Sequence, residues 1–241
     1  MHLLIDNSNT LTKFALDFGG ELSEWRGVIP TSDLSKTSIQ TTLHGQTFEK
    51  VTLCSVVPDA SVLMKAIFDQ PIHHISHQSK MPITIDYPIP SKIGADRLAN
   101  ASAAILDRQG SAIVIDFGTA VTFDVISKAG SYLGGVIAPG TASLRDYLHQ
   151  KTALLPAIQL EEPNSAIGRS TEEAMQVGAV IGYRGLIREI LNEVRGELGG
   201  TPKIFATGGD AELIGKGIND IDIIDQDLTM KGIQVIGTSN H

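Results

Sequence analysis

The segment Leu4-Ile5-Asp6-Asn7-Ser8-Asn9-Thr10-Leu11-Thr12-Lys13-Phe14 has a counterpart about half the chain later. That counterpart is Val114-Ile115-Asp116-Phe117-Gly118-Thr119-Ala120-Val121-Thr122-Phe123-Asp124. Each reads as an apolar strand, a tight turn of small residues and a second apolar strand. Asp6 matches Asp116, Ser8 matches Gly118 and Thr12 matches Thr122. Two such copies predict duplicated domains facing each other; two unrelated hairpins with similar turns are the other reading.

Outward from these hairpins, strand and helix periods alternate, which is the pattern of an α/β protein. In the first half, Val51–Val57 is a β-branched strand. Pro58-Asp59 then opens a helix with Val62, Leu63, Ala66 and Ile67 on one face. Ile83–Tyr87 is a short strand that stops at Pro88 and Pro90, and a helix is expected from about Gly94 to Arg108, with Gly110 just beyond it. In the second half, Ser131–Ile137 is a strand, Thr141 caps a helix through His149, and a long helix covers Thr171 to Leu198. Its stripe is Ile187, Ile190, Leu191, Val194 and Leu198, and Gly199-Gly200 ends it. Lys203–Ala206 is a strand running into Thr207-Gly208-Gly209-Asp210. The expected domain boundary lies near Gly110, giving domains 1–110 and 111–241.

Composition narrows the function classes. The chain has 241 residues, 19 basic and 27 acidic, a formal charge of −8 and 42% apolar residues. That is globular, and the acidic balance argues against a broad nucleic-acid surface. The single cysteine, Cys54, allows no intrachain disulfide and suits a reducing compartment. No apolar run reaches the roughly 18–20 residues of a membrane span. Asp6 comes too early for a signal peptide, so a cytoplasmic protein is expected.

Four places carry chemistry. A carboxylate ending a buried strand, as Asp6 does, needs a cation, donors or water. The Asn7-Ser8-Asn9-Thr10 turn after it is able to cradle phosphate, with Asp6 holding Mg²⁺ through water and Lys13 adding a point charge. A plain hairpin that caps its own turn is the alternative. Asp116-Phe117-Gly118-Thr119-Ala120 repeats the pattern, and two such turns facing across a cleft would grip a polyphosphate. Gly208-Gly209 after a strand lets backbone approach a base or ribose closely. Finally, Gly94-Ala95-Asp96-Arg97 puts an acid and a base at a helix start. Asp96 would take a proton from a hydroxyl and Arg97 would bind a carboxylate; a capped helix with a surface ion pair is the alternative.

The paired phosphate turns resemble those of the actin-like and sugar-kinase superfamily. Beyond that, the chain resembles type III pantothenate kinases over nearly its whole length. The motifs, in family order, are Asp6–Thr10 with Lys13, Tyr87-Pro88 leading to Gly94–Arg97, Asp116–Ala120, Gly134–Gly140, Ile167–Thr171 and Leu228–Gly232. The resemblance implies two duplicated ribonuclease-H-like (actin-like) domains with an inter-domain nucleotide cleft. It implies transfer of the γ-phosphoryl of ATP to pantothenate, the first step of coenzyme A synthesis.

By the same resemblance, Asp96 is the general base. Tyr87, Gly94, Ala95, Asp96, Arg97 and Thr171 hold pantothenate, Thr171 from the partner of a homodimer. Asp6, Asn7, Ser8, Asn9, Thr10, Leu11, Thr12, Lys13, Gly118, Thr119 and Gly208 hold ATP. Asp6 takes Mg²⁺, and Asp116 a monovalent cation, potassium or ammonium. Gly178 and Gly182 would allow close helix contact, at the dimer or inside one subunit. Ser8 stands where the family has glycine, which raises the expectation of a strained turn or a new phosphate donor. Competing readings are an accessory protein on the same fold and a kinase for another small carboxylated alcohol.

His73, His74 and His77 are expected to be exposed imidazoles on a strand rather than a zinc site. Asp220, Asp222, Asp225 and Asp227 are expected to be acidic strand edges, Cys54 a core residue, and Trp25 a residue packed on a sheet face.

Overall fold

The computed structural model describes residues 1–107 and 110–241. The elements in chain order are β1 (His2–Asn7), β2 (Leu11–Phe18), β3 (Glu21–Pro30), α1 (Lys36–Thr42), β4 (Lys50–Ser55), α2 (Pro58–Ile67), β5 (Ile72–His74), β6 (Thr84–Ile85) and α3 (Ala95–Ala104). There follow β7 (Ala112–Phe117), β8 (Ala120–Ile126), β9 (Ser131–Pro139), α4 (Thr141–Lys151), α5 (Thr171–Val177), α6 (Tyr183–Leu198), β10 (Lys203–Thr207), β11 (Ile223–Ile224) and α7 (Leu228–Asn240). The chain divides into two compact units. Unit 1 is Met1–Asp107, Gly130–Leu133 and Asp227–His241; unit 2 is Arg108–Ala129 and Gly134–Gln226.

Unit 1 is built on a sheet of order β3-β2-β1-β4-β5. All six residues of β1 are buried, as a strand covered on both faces requires. Alternation sorts them. Leu3 and Ile5 join Val51, Leu53, Phe14, Ile39 and Met64 in the core beneath α1 and α2. His2 and Thr52 point the other way, where Gly237 of α7 has room only because it lacks a side chain. Helix α7 also lies along α3. Gly232 permits this, since the site a Cβ would take is filled by the Ala99 backbone. The edge strand β6 pairs in parallel with the start of β9, Thr84 with Ser131 and Ile85 with Tyr132.

Unit 2 has the strand order β11-β10-β7-β8-β9. Ile113, Ile115, Phe117, Val121 and Phe123 pack against Val180, Tyr183, Ile187 and Leu191. Ile187 and Leu191 are the fully buried part of the expected stripe, each worth about 1.5–3 kcal/mol of burial. Ile190, Val194 and Leu198 flank them, half-buried.

Both hairpins form, but in different registers. Asn7 lies opposite Thr12 in the first, whereas Asp116 lies opposite Thr122 in the second. Sequence matching alone aligned Asp6 with Asp116 and missed this slip, which comes from one residue of difference in turn length.

Other expectations need correction. In α2 the buried residues are Ala60 and Met64, with Leu63 and Ile67 half-buried, while Val62 is exposed. Ala66 is exposed too, so the buried face lies one helical step from the expected one; apolar residues stand on both sides of that step, with Asp59, Ser61 and Lys65 the polar positions. Helix α4 is capped by Gly140 rather than Thr141, whose hydroxyl bonds elsewhere. The expected long helix is α5 and α6 joined through a π-turn at Gly178–Gly182. The α3 helix gives way to a tighter turn, Ile105–Asp107; the expected end at Arg108 lies outside the described residues.

Candidate active site

The β1–β2 turn is fixed by polar groups that satisfy one another. Asn7 Nδ2 donates to Thr12 Oγ1 at 2.8 Å, and Ser55 Oγ donates to Asn7 Oδ1 at 2.6 Å. Thr31 Oγ1 donates to the Ser8 carbonyl at 2.8 Å and lies 3.1 Å from Thr12 Oγ1. Asn7 and Thr12 are therefore buried shapers of the turn, while Asn9 and Thr10 are exposed at its tip and Leu11 is half-buried. Asp6 is buried and Lys13 lies directly across the ladder from it. Ser8 does not strain the turn: among the described residues no non-glycine residue has a positive φ. Its hydroxyl donates to the Leu11 carbonyl at 3.0 Å and accepts from the Leu11 N–H at 3.3 Å. Serine closes the turn with an extra local bond.

The second cluster, also in unit 1, stands at the start of α3. Gly94 is the N-cap, Ala95 is buried, and Asp96 and Arg97 occupy the first turn. Asp96 Oδ1 accepts the Arg97 N–H at 2.8 Å. This carboxylate bends back over Gly94, occupying the place where a Cβ would stand. Burial pushes the Asp96 carboxyl above the usual carboxylate range, and the Arg97 N–H and guanidinium offset only part of that. The Arg97 guanidinium lies 5.8 Å from the ring centre of Tyr132, a cation–π contact. Tyr87 meets the same ring edge-on at 6.2 Å. Tyr132 is fully buried and belongs to this cluster. Sequence reading placed it only on a strand, because nothing in its spacing distinguishes an inward tyrosine from a core residue.

In unit 2 the turn Phe117-Gly118-Thr119-Ala120 is packed by two other segments. The Gly140 N–H donates to the Thr119 carbonyl at 3.2 Å. A Cβ on Gly140 would stand 2.5 Å from both the Gly118 and Thr119 carbonyl oxygens. Gly208 has φ +94°, a conformation that favours glycine, and a Cβ there would stand 2.6 Å from Asp116 Oδ1 and from the Phe117 carbonyl. Thr207 pairs with Asp116 across the β10–β7 ladder. Gly118 and Thr119 remain exposed. Asp116 Oδ1 and the Phe117 carbonyl oxygen thus both border Gly208, donors of the kind that suit a hard cation. Among the described residues no group of three or more His, Cys, Asp or Glu side chains could hold a metal. A cation at Asp6 or Asp116 would complete its shell with carbonyl, water or phosphate oxygens.

Thr171 belongs to unit 2 and stands at the start of α5. It lines a groove of about 900 Å³ with Arg145, Tyr147, Leu148, Arg169 and Met175. Unit 2 also exposes Ile137, Tyr147, Leu154, Ile167 and Ile181. Among the described residues nothing outside the helix's own backbone lies within 4 Å of the Cβ positions of Gly178 and Gly182, so their packing within unit 2 does not call for glycine.

The remaining clusters are structural. His73 and His74 lie on β5, half-buried rather than exposed, and His73 Nε2 lies 2.8 Å from Ser79 Oγ. Asp220 and Asp227 pair with Arg195 and Arg26, and Asp222 accepts the Ile204 N–H. Cys54 is buried, and Trp25 packs against the unit 1 core. No helix among the described residues is long and apolar enough to cross a membrane.

The model of one protein family, described as Type III pantothenate kinase, matches residues 2–193. A type III pantothenate kinase of Akkermansia muciniphila is 49% identical over 99% of this chain and 99% of its own length. Two solved structures share the fold at low identity. One is a Campylobacter jejuni protein assigned to a Baf family of transcriptional activators, with TM-score 0.64, 20% identity, and coverage of 98% of this chain and 97% of that one. The other is an inorganic polyphosphate/ATP-glucomannokinase from Arthrobacter, with TM-score 0.52, 15% identity and coverage of 99% of each chain.

Proposed function

The chain belongs to the type III pantothenate kinase family, and from that premise we propose how its residues divide the work. The fold is that of the actin-like sugar kinases, with two ribonuclease-H-like halves. The activity is the ATP-dependent phosphorylation of pantothenate in coenzyme A biosynthesis, a phosphoryl transfer to an alcohol.

The observation that carries the division of roles is Asp96, a half-buried carboxylate held at a helix start beside Arg97. Asp96 is the general base. As the hydroxyl oxygen of pantothenate forms its bond to the γ-phosphorus, the bond from that phosphorus to the departing ADP oxygen breaks, and the hydroxyl proton passes to Asp96. Arg97, steadied on Tyr132, holds the substrate carboxylate with its planar fork. Tyr87 and the Gly94-Ala95 backbone close the same pocket. Its raised carboxyl and partial desolvation favour a proton acceptor over a solvated surface charge.

ATP phosphates are held by the exposed Asn9-Thr10 tip with Lys13, and by Gly118-Thr119; Gly208, which has no side chain and so packs directly on Asp116 and Phe117, lets the backbone of its turn approach the nucleotide. Asp6 would hold Mg²⁺ and Asp116 a monovalent cation, both oxygen sites that suit hard ions. When bound, these ions neutralise charge on the transferring group. The chain works as a cytoplasmic homodimer in this reading. The exposed apolar side chains and the outward Gly178 and Gly182 of unit 2 support a second copy there.

The test is a coupled assay with ATP, Mg²⁺ and pantothenate, in potassium and then in sodium buffer. Turnover that needs potassium and is lost in Asp96→Asn supports the reading. No turnover by folded wild-type protein refutes it.

A further inference from the structure

One residue in unit 2 lies outside every role given so far, and its backbone bonds to the start of the phosphate turn. Asp210 follows the Gly208-Gly209 turn. Its carboxylate accepts a hydrogen bond from the hydroxyl of Thr141, the first residue of α4, which is fully buried. Its backbone N–H donates to the Phe117 carbonyl at 3.3 Å, and its own carbonyl accepts the Ile214 N–H at 2.9 Å. Three segments therefore meet at one residue: the turn after β7, the entry to α4 and the turn after β10.

Their contacts leave little slack. Gly140 is pressed onto the Gly118 and Thr119 carbonyls, and Gly208 onto Phe117 and Asp116. A carboxylate at the start of α4 is also favoured by the helix dipole. From α6, the Tyr183 hydroxyl donates to the Pro139 carbonyl at 2.9 Å, fixing the residue before Gly140. Burial and the nearby Asp210 charge push the Tyr183 phenol upward, so it stays a neutral donor. The Gly118 and Thr119 carbonyls thereby lie against Gly140, whose N–H holds the second of them.

We propose that Asp210 is a positioning residue for ATP, its bond to Thr141 fixing the Gly118-Thr119, Gly140 and Gly208 segments as one unit against the phosphates. The inference rests on reading those segments as the ATP site, and it assigns a function to a residue that does not itself touch substrate.

The test compares Asp210→Ala, Asp210→Asn and Thr141→Val with wild type. Steady-state kinetics for both substrates, calorimetric binding of ATP with Mg²⁺, and melting temperature are measured on each. Asp210→Ala is expected to weaken ATP, in KM and in Kd, by about tenfold, while the KM for pantothenate stays within about twofold. Asp210→Asn keeps an acceptor oxygen and is expected to recover most of the loss. Thr141→Val is expected to match Asp210→Ala, and the double variant to be no worse than either, since both remove one bond. Should Asp210→Ala fail to fold, Thr141→Val carries the test.

Unchanged ATP affinity in a folded variant overturns the proposal. So does an equal loss for both substrates that follows the fall in melting temperature. Wild-type protein that binds ATP but leaves pantothenate untouched would refute the proposed substrate while the ATP affinities still decide the role of Asp210. Wild-type protein that binds no ATP refutes both.

Discussion

Asp96 Oδ1 fills the space where Gly94 would carry a Cβ, and the Arg97 N–H donates to that same oxygen at 2.8 Å. Glycine and carboxylate are thus one device: the missing side chain lets the acid fold back over the helix start, and the next amide holds it. Gly94→Ala must displace the carboxylate. The expected result is a fall in kcat of about 10–100-fold with the fold intact, since small displacements of reacting groups are costly. Circular dichroism beside the kinetic assay checks this.

Asp96→Asn is expected to lower kcat by about 10²–10⁴, the usual contribution of a positioned base. It should not lower the melting temperature. Burial raises the Asp96 carboxyl, so the ionised form is disfavoured in the folded chain and costs stability at neutral pH; the neutral amide removes that cost. The sign also sets the pH profile. A base with a raised pKa stays protonated to higher pH, so the acid limb of kcat should lie above that of an ordinary carboxylate. A destabilised Asn variant, or an acid limb in the ordinary carboxylate range, would contradict the assignment.

Arg97→Lys keeps the charge but loses the planar fork and the stacking on Tyr132. An increase of about 10-fold or more in the KM for pantothenate, with the KM for ATP little changed, is expected from the loss of a charge-assisted bidentate contact. Substrate-resolved kinetics decide it, and Tyr132→Leu should move the same constant in the same direction.

Much of this arrangement was legible in the chain because it is local. Asp6, Asp116 and the turns after them are strand-end carboxylates followed by small residues, and an apolar run on either side of such a turn exposes a hairpin. Gly94–Arg97 was visible as an acid and a base where a helix begins. What was not legible was long-range. Tyr132 reaches Arg97 only because β6 pairs with β9. Asp210 meets Thr141 only once β10 and α4 are in place. The hairpin slip that sets Asp116 opposite Thr122 is a turn-geometry effect with no compositional mark. The return of α7 onto α3 is signalled in sequence by little more than Gly232.

That return gives a stability prediction. Gly232 lies against the Ala99 backbone with no room for a Cβ, and Thr229 Oγ1 donates to buried Asn100 Oδ1 at 2.7 Å, one turn beyond Asp96 on α3. Gly232→Ala is expected to cost about 1–3 kcal/mol through overpacking, read as a lower midpoint in urea. Turnover should fall with it, because α3 carries Asp96 and Arg97. A variant as stable as wild type would show that α7 yields easily and does not set the position of α3.

The end of α7 also sets an acid limit. His241 ends the chain, its ring 5.0 Å from His2 and 6.1 Å from His73, and its Nε2 lies 3.0 Å from the Val51 carbonyl. His2 is buried, with Nε2 2.7 Å from Thr52 Oγ1; Asp17 stands at 3.8 Å from Nδ1, and Lys50 and the N-terminus add positive charge. Burial first, then His241 and Lys50, push His2 down to about 4, and His73, His74 and His241 are lowered as well. The unfolded chain therefore takes up protons before the folded one does. Stability should be full above about pH 6.5 and fall as the pH drops toward about 4, by on the order of 3 kcal/mol from His2 alone. Urea midpoints measured across that range test it. His2→Gln should flatten the slope without abolishing it, since the other three histidines still contribute, and an unchanged slope would remove His2 from the cause.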